Sequence, residues 1–257
     1  MIDKLEQKMI LPPSLCDCSG KIAIPEIFSL FTDVATAHAN LLGLGYYDLA
    51  PKDLYWIAAK NIFTINRRPK MADEITITTW PEKPKGASYI RDYVISSADG
   101  ETLITGKTQW AVINIKTGKL CSVNDIYPLK DDLNFPSNPE QFSRIRFSAA
   151  EQPADGKQSG PQELGQYIIK STDIDVGQHM NNIAYIRAFE RFFSTKEWEA
   201  LNIKSMEVHF KNQCYEGDTL TYLMEKQESP EGAMQTIAAA QLPDGTVALQ
   251  MKIQANQ

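Results

Sequence analysis

The sequence predicts an α+β protein built from two copies of one unit, each an antiparallel sheet packed on a long helix. Three observations predict this class. A helical hydrophobic period near the N-terminus is followed by several strand-like stretches. The same order returns after a polar segment, and two sequence landmarks recur at one spacing. With 257 residues, the chain is long enough for two ordinary domains that each bury a core.

The first predicted element is a helix over residues 24–43. Pro25 lies in its first turn and Gly43 follows its end, as is typical of helix boundaries. Its side chains recur at helical spacing, and the stripe expected to be buried comprises Ile27, Leu30, Phe31, Val34, His38, Leu41 and Leu42. Strands rich in branched and aromatic residues are then expected from about residues 56, 73, 88 and 102.

Residues 122–162 are rich in Pro, Ser, Asp and Gln and lack an apolar period near their end, so they are predicted to be a linker. Beyond them we expect a strand at 164–170, a helix from Asn182, and strands near 204–212, 219–226, 233–242 and 246–254. The predicted division is therefore a first unit at 1–121, the linker, and a second unit at 163–257.

The landmarks that support a repeat are an aspartate and a turn. Asp73 and Asp218 are 145 residues apart, and so are the turn residues Asp99 and Asp244. Equal spacing predicts two copies of one structural unit.

The two copies differ in chemistry. On the 145-residue spacing, Gln213-Cys214 corresponds to Arg68-Pro69, and no residue of the first half corresponds to Asp175 or His179. We therefore expect only the second unit to carry an active site.

Composition excludes several classes of function. The chain has 43% hydrophobic and 23% charged residues and a net charge of −6, which argues against general nucleic-acid binding. No apolar run approaches a membrane span, and the first residues lack the apolar core of a signal peptide, so a cytoplasmic protein without membrane contact is expected. Four cysteines without paired spacing and only three histidines predict no metal site, and no cofactor is expected.

The candidate site lies in residues 172–193, TDIDVGQHMNNIAYIRAFERFF. Within ten residues this stretch places Asp173, Asp175, His179, Asn181 and Asn182, directly before an amphipathic helix. Either asparagine is suited to cap that helix. Because a helix N-terminus carries partial positive charge, a developing anion would be stabilised there.

Four ordered segments carry a family resemblance: ATAHANLLGLG, YWIAAKNIFTINRRPKMADEITITTWP, YIRDYVI and TDIDVGQHMNNIAYI. Together they resemble the acyl-ACP thioesterases of plants and bacteria, nearly from end to end. The resemblance implies two fused hotdog units, in which a sheet wraps a long helix. It also implies a hydrolase of fatty acid biosynthesis that releases free fatty acid from acyl carrier protein and so ends chain elongation.

The family motif has an Asp, an Asn and a His two residues apart in turn, with a Glu-Cys pair downstream. By position, the resemblance assigns these roles to Asp175, His179 and Cys214. Two positions depart from the motif, because Gly177 replaces the Asn and Gln213 replaces the Glu.

Thioester hydrolysis needs a positioned water, a proton acceptor and donors for the oxyanion. Asp175 is expected to accept the proton of the water or to orient His179, with helix-start N–H groups as oxyanion donors. The alternative is that Asp175 only caps the turn and His179 is a core residue. For Cys214, an inert buried thiol is as compatible with the sequence as a nucleophile.

Substrate contacts are predicted at Asn181 and Asn182, and at a basic cluster of Arg67, Arg68 and Lys70 that would dock the acidic carrier protein. The alternative for the cluster is a solvated loop.

The sequence leaves open the carrier of the acyl group, the presence of catalysis and the oligomeric state. An acyl-CoA thioesterase on the same fold and a non-catalytic acyl-binding or regulatory protein are the competing functions, and a homodimer is compatible with the sequence. Of the other two histidines, His38 is expected in the core and His209 on an exposed sheet face.

Overall fold

The structure is a computed structural model. It describes residues 3–83, 86–122, 126, 135–147, 161–228 and 232–256. The chain divides into two compact units, Met1–Gln141 and Phe142–Gln257. Each contains an antiparallel sheet and a helix that begins after a short loop, so the predicted α+β class is confirmed.

The first unit has a sheet of five main strands in the order β1-β3-β4-β5-β2, all antiparallel, with β6 beside β5. Its strands are β1 (Leu5–Ile10), β2 (Leu54–Ile65), β3 (Glu74–Pro81), β4 (Tyr89–Ser97), β5 (Thr102–Asn114) and β6 (Lys119–Cys121). Its helices are α1 (Ile24–Leu41) and the short α2 (Tyr46–Leu49).

Aromatic side chains fix α1 against this sheet. Phe31 stacks on Tyr93 of β4 with ring centroids 4.3 Å apart, and Phe28 contacts Phe63 of β2 at 4.9 Å. Gly106 of β5 makes this close approach feasible, because a Cβ there would lie 2.4 Å from the Phe31 ring. The sheet therefore packs directly on the helix.

The predicted first helix is confirmed, with His38 buried as expected. Leu41 was wrongly placed in the buried stripe, since 58% of it is exposed where the helix ends. Strand β1 was not predicted, because its exposed charged residues at an edge give no alternation of apolar and polar side chains.

The second unit has strands in the order β8-β11-β10-β9-β7, again antiparallel. They are β7 (Gln162–Ile168), β8 (Ile203–Phe210), β9 (Thr219–Glu228), β10 (Met234–Gln241) and β11 (Val247–Ala255). Its helices are α3 (Asn182–Glu190) and α4 (Thr195–Ala200), of which α4 was not predicted.

Helix α3 is shorter than its amphipathic period suggested. It ends at Glu190, yet Phe193 beyond it still packs on Phe189 at 5.0 Å and on Trp198 at 5.6 Å. The hydroxyl of Tyr222 donates to the carbonyl of Tyr185 at 2.9 Å, which ties α3 to β9. The helix that precedes the candidate site is thus anchored by an aromatic core.

His209 was predicted on an exposed face, and that prediction was wrong. The residue is buried, and its Nε2 lies 2.7 Å from Oε1 of Glu207. Burial opposes ionisation of Glu207, but hydrogen bonds from His209, Lys252 and Ser143 hold its pKa at about 2. A buried polar network on β8 and β11 therefore takes the place of a solvated histidine.

Much of the predicted linker lies outside the described residues. Within 135–147, the Asn138 N–H donates to Oδ1 of Asp92 at 2.8 Å in the first unit. In the second unit, the Ser143 N–H donates to Oε1 of Glu207 at 2.7 Å. This stretch is held by buried carboxylates, and the linker boundaries themselves stay a prediction.

Among the described residues, no single helix is long and apolar enough to cross a membrane. Only α1 taken together with residues 46–52 passes by length and composition, and that pair is bent by 50°.

Candidate active site

A tight loop before α3 brings the predicted catalytic residues together. Ile174 and Met180 pair as an isolated bridge, and inside it the Asp175 N–H donates to the His179 carbonyl at 3.0 Å. The Gln178 N–H donates back to the Asp175 carbonyl at 3.0 Å, with Gln178 in the left-handed region at φ 63°. Asp175 and His179 therefore face each other across the base of one turn.

The two carboxylates of the loop have different environments. Asp173 is buried, and its Oδ2 accepts from the Tyr167 hydroxyl at 2.9 Å and from the Lys170 N–H at 2.8 Å. Asp175 is only partly buried, and its Oδ1 accepts from the Gly177 N–H at 2.8 Å. Asp173 thus stabilises the local fold through its hydrogen bonds, whereas Asp175 caps the turn through one of its two oxygens.

His179 is partly exposed and lies beside an aromatic ring. Its imidazole centroid is 5.2 Å from that of Tyr215, with the planes inclined by 54°. Within the described part of the chain, no hydrogen bond from the imidazole to Asp175 is found. The two residues are joined through their backbones, so the orienting hydrogen bond considered from sequence is not formed in this structure.

Cys214 reaches the site through its backbone. Its carbonyl accepts from the Met180 N–H at 2.8 Å, which joins the segment of Gln213 and Cys214 to the loop. Burial raises the pKa of the Cys214 thiol, whose Sγ donates to the Asn212 carbonyl at 4.0 Å. Cys214 is buried, while neighbouring Gln213 is exposed.

The start of α3 is capped by Asn181 and not by Asn182. Oδ1 of Asn181 accepts from the Ile183 N–H at 2.8 Å, and its carbonyl accepts from the Ala184 N–H at 2.9 Å. Two of the predicted oxyanion donors therefore already have partners inside the helix turn. The predicted capping role of Asn181 is confirmed.

In the first unit, the basic cluster is largely engaged with the chain's own acids. Arg68 forms an ion pair with Asp17, and its Nε donates to the Ile22 carbonyl at 2.8 Å. Arg67 pairs with Glu101 at 2.5 Å on the surface. Lys70 is exposed. Two of the three cations predicted to dock a carrier thus bind carboxylates within their own unit.

Those contacts reveal a second copy of the loop, which was missed from sequence. Cys16 pairs with Ile22, the Asp17 N–H donates to the Lys21 carbonyl at 2.8 Å, and the Ile22 N–H donates to the Pro69 carbonyl at 3.0 Å. These are the bonds of the site loop, with Asp17 at the position of Asp175.

The expectation that nothing in the first unit corresponds to Asp175 and His179 was therefore wrong. Asp17 and Lys21 occupy those positions at a spacing of 158 residues, while Arg68-Pro69 corresponds to Gln213-Cys214 at 145. The two spacings differ by 13 residues, and most of this difference comes from α1, which has 18 residues where α3 has nine. The sequence signal for this correspondence is an aspartate four residues before position 21 and another four residues before position 179. It is found only when the two units are aligned with helices of different lengths.

No group of histidine, cysteine and carboxylate side chains suited to a metal ion is found among the described residues.

Comparison with known proteins gives consistent matches. Residues 3–128 match the model of the acyl-ACP thioesterase N-terminal domain, and residues 156–257 match that of the C-terminal domain. An acyl-[acyl-carrier-protein] hydrolase of Cuphea viscosissima is 25% identical over 217 residues, 82% of this chain and 52% of the relative. A palmitoyl-acyl carrier protein thioesterase of Cuphea hookeriana is 25% identical, over 75% of this chain and 47% of the relative. The chain thus spans about half the length of these curated relatives.

Two solved structures share the fold. An acyl-ACP thioesterase from Bacteroides thetaiotaomicron superposes with a TM-score of 0.81 at 20% identity, covering 98% of this chain and 97% of the other. The 12:0-ACP thioesterase from Umbellularia californica gives 0.75 at 17% identity, covering 97% and 92%. The predicted double-hotdog fold is confirmed.

Proposed function

Because both halves of the chain match its family models, this protein belongs to the acyl-ACP thioesterase family, and we propose that it hydrolyses the thioester of acyl-acyl carrier protein to release a free fatty acid. The observation that carries the proposal is the single turn that holds Asp175 and His179 at its base, joined to the Gln213-Cys214 segment. Relatives named as carrier-protein hydrolases support the same reaction.

In the proposed reaction, water is the nucleophile. Its oxygen bonds to the thioester carbonyl carbon while one proton passes to His179, and the C–S bond then breaks. The thiol leaves readily as thiolate because its pKa is near 8.5, and it takes up the proton as the acid is released. Histidine is the residue type used most often for proton transfer near neutral pH, which suits it to this step.

Asp175 is proposed to hold the catalytic water or to stabilise the imidazolium by charge. One of its oxygens is fixed by the Gly177 N–H at 2.8 Å, which sets the orientation of the carboxylate. Gly177 supports the site through its backbone alone. The exposed Gln213 amide is proposed to orient the water through its carbonyl oxygen, because an amide does not accept a proton near neutral pH.

Cys214 is proposed to be structural. A thiol nucleophile requires a thiolate, and burial raises the pKa of this one. Its contribution is the carbonyl that holds Met180, next to His179.

The carrier protein stays the proposed partner, with Lys70 as the member of the basic cluster that forms no ion pair among the described residues. Arg68 is assigned to the fold in this proposal, because its guanidinium binds Asp17 and the Ile22 carbonyl.

The test is hydrolysis of acyl-carrier-protein and acyl-CoA substrates of several chain lengths. We expect His179→Ala to lower kcat by about 10²- to 10⁴-fold, the range for loss of a general base. Cys214→Ala should keep most activity. The first unit supplies the matched control, since Lys21→Ala changes the corresponding loop position and should leave kcat unchanged. Full activity of His179→Ala, or loss only in Cys214→Ala, would contradict the assignment.

A further inference from the structure

We propose that Tyr215 is a positioning residue that orients the imidazole of His179; this inference rests on the proposed function. The two rings are 5.2 Å apart between centroids, inclined by 54°. Tyr215 is the aromatic ring that packs on the imidazole, whereas Asp175 is hydrogen-bonded to His179 through the backbone.

Tyr215 is held firmly on both sides although 51% of it is exposed. Its N–H donates to Oδ2 of Asp218 at 2.8 Å, and its carbonyl accepts from the Asp218 N–H at 3.1 Å. Gly217, at φ 90°, closes this turn and donates to the Ile169 carbonyl at 3.0 Å. The preceding residue, Cys214, is buried and bonded to Met180. The ring therefore stands on a fixed backbone next to the loop that carries His179.

The first unit shows that the loop itself does not need an aromatic pair. The positions that correspond to His179 and Tyr215 are Lys21 and Lys70, which pair as an isolated bridge. Two lysines opposite each other repel and offer no ring contact. The histidine and the tyrosine thus occur together in the unit with the candidate site, although an equivalent backbone in the first unit carries neither of them.

Ring packing suits a proton-transfer histidine because it fixes the imidazole without using a ring nitrogen. Both nitrogens then stay available to the water and to the leaving sulfur. An aromatic ring also favours the protonated imidazole.

Several other titratable groups lie on the segments that meet here. On the loop, Asp173 is bonded to Tyr167, and Asp175 is bonded to Gly177. On the facing segment, Asp218 is bonded to the Tyr215 N–H, and the other titratable groups there are Cys214, Glu216 and the Tyr215 hydroxyl itself. None of them replaces the ring contact to His179.

The experiment compares Tyr215→Phe and Tyr215→Leu with the wild type, using acyl-carrier-protein and a small pantetheine thioester. Tyr215→Phe keeps the ring and should stay within twofold. Tyr215→Leu should lower kcat about tenfold at unchanged KM on both substrates, because the imidazole loses its orientation. The histidine limb of the pH profile should move down by about half a pH unit in Tyr215→Leu only. Tyr47→Leu, at a tyrosine that is 86% exposed in the first unit, is the control.

Three outcomes overturn the proposal: unchanged kcat in Tyr215→Leu, an equal loss in Tyr215→Phe, or a rise in KM confined to the carrier substrate, which would make Tyr215 a docking residue. An NMR titration of His179 separates this inference from the proposed function. The other histidines are buried, and His179→Ala assigns the signal. If the wild type hydrolyses no thioester, the function fails; if the His179 pKa is the same with and without the Tyr215 ring, the positioning role fails.

Discussion

Replacing Arg68 with glutamine, the residue at the corresponding position 213, tests whether the second loop is held by an ion pair. Arg68 binds Asp17, and their side chains are 19% and 13% exposed. Removing the guanidinium leaves Asp17 with the N–H and the hydroxyl of Ser19, at 2.9 Å and 2.7 Å. It also removes the bond to the Ile22 carbonyl.

The expected loss of unfolding free energy lies between two limits. Breaking a fully buried pair costs about 3–5 kcal/mol, and exposed pairs contribute about 0–1 kcal/mol. With this exposure we expect Arg68→Gln to cost about 2 kcal/mol. Arg67→Gln is the matched control, since Arg67 and Glu101 are 46% and 49% exposed, and it should cost much less than Arg68→Gln.

The pH dependence has a defined sign. Burial opposes ionisation of Asp17, but the hydrogen bond from Arg68 brings its pKa below the usual value. A lowered pKa contributes stability above the unfolded value, near 3.9, that is lost as the pH falls through the folded pKa. Urea unfolding should therefore show the difference between wild type and Arg68→Gln at pH 7, and a smaller one near pH 3. Equal losses in the two arginine variants, or no dependence on pH, would refute the reasoning.

Three other substitutions have clear expectations. Glu207→Gln leaves the Lys252 ammonium, 2.8 Å away, without its carboxylate, so urea unfolding at pH 7 should show a loss of about 3 kcal/mol that shrinks as the pH falls towards 2. Burial raises the pKa of Asp92 to about 7, so stability falls as the pH rises from 4 to 7; Asp92→Asn should remove that dependence, match the wild type near pH 4 and be more stable than the wild type at pH 8. Gly106→Ala places a Cβ 2.4 Å from the Phe31 ring and should lower Tm through about 1–3 kcal/mol of overpacking. An unchanged Tm would mean that α1 moves to accommodate the added methyl group without loss of stability.

Clear residue patterns predicted most helices and strands of the core, whereas short or exposed elements lack such patterns. Helix α1 was predicted from its helical apolar period, and strands β2 to β5 were predicted because they are rich in branched and aromatic residues; strands β7 to β11 were expected from the return of the same pattern. Strand β1, with its exposed edge residues, and α4, with one turn on the surface and Trp198 as its buried residue, give too little pattern. His209 alternates with its neighbours along β8, as predicted. Its face is buried, however, and Glu207 on the same face is the hydrogen-bond partner that the alternation alone did not reveal.

The site was predictable at the level of residues but not of contacts. The motif indicated which side chains share one loop, and backbone bonds join them as expected. It did not indicate that Oδ1 of Asp175 accepts from the Gly177 N–H, or that the Cys214 thiol donates to the Asn212 carbonyl. Such pairings depend on rotamers and on where the chain returns after the helix, which spacing alone does not encode.

The duplicated loop decides how the catalytic residues can be tested. In both units the aspartate accepts from an N–H two residues later, Ser19 in one and Gly177 in the other, so the turn alone explains an aspartate at this position. Loss of activity in Asp175→Asn would therefore mix folding with chemistry. The turn does not explain a histidine, because Lys21 occupies the corresponding position on the same backbone bonds.

His179→Lys is consequently the sharpest single substitution, since it installs the residue that an equivalent turn already accepts. We expect Tm to stay within about 2 °C of the wild type, the range for a surface change of less than 0.5 kcal/mol. We expect kcat to fall by about 10²-fold or more, because a lysine with a pKa near 10.4 stays protonated at pH 7 and cannot accept a proton. The assay is hydrolysis of acyl-carrier-protein beside thermal unfolding. A folded His179→Lys variant with full activity would show that the turn, and not the imidazole, supports the reaction.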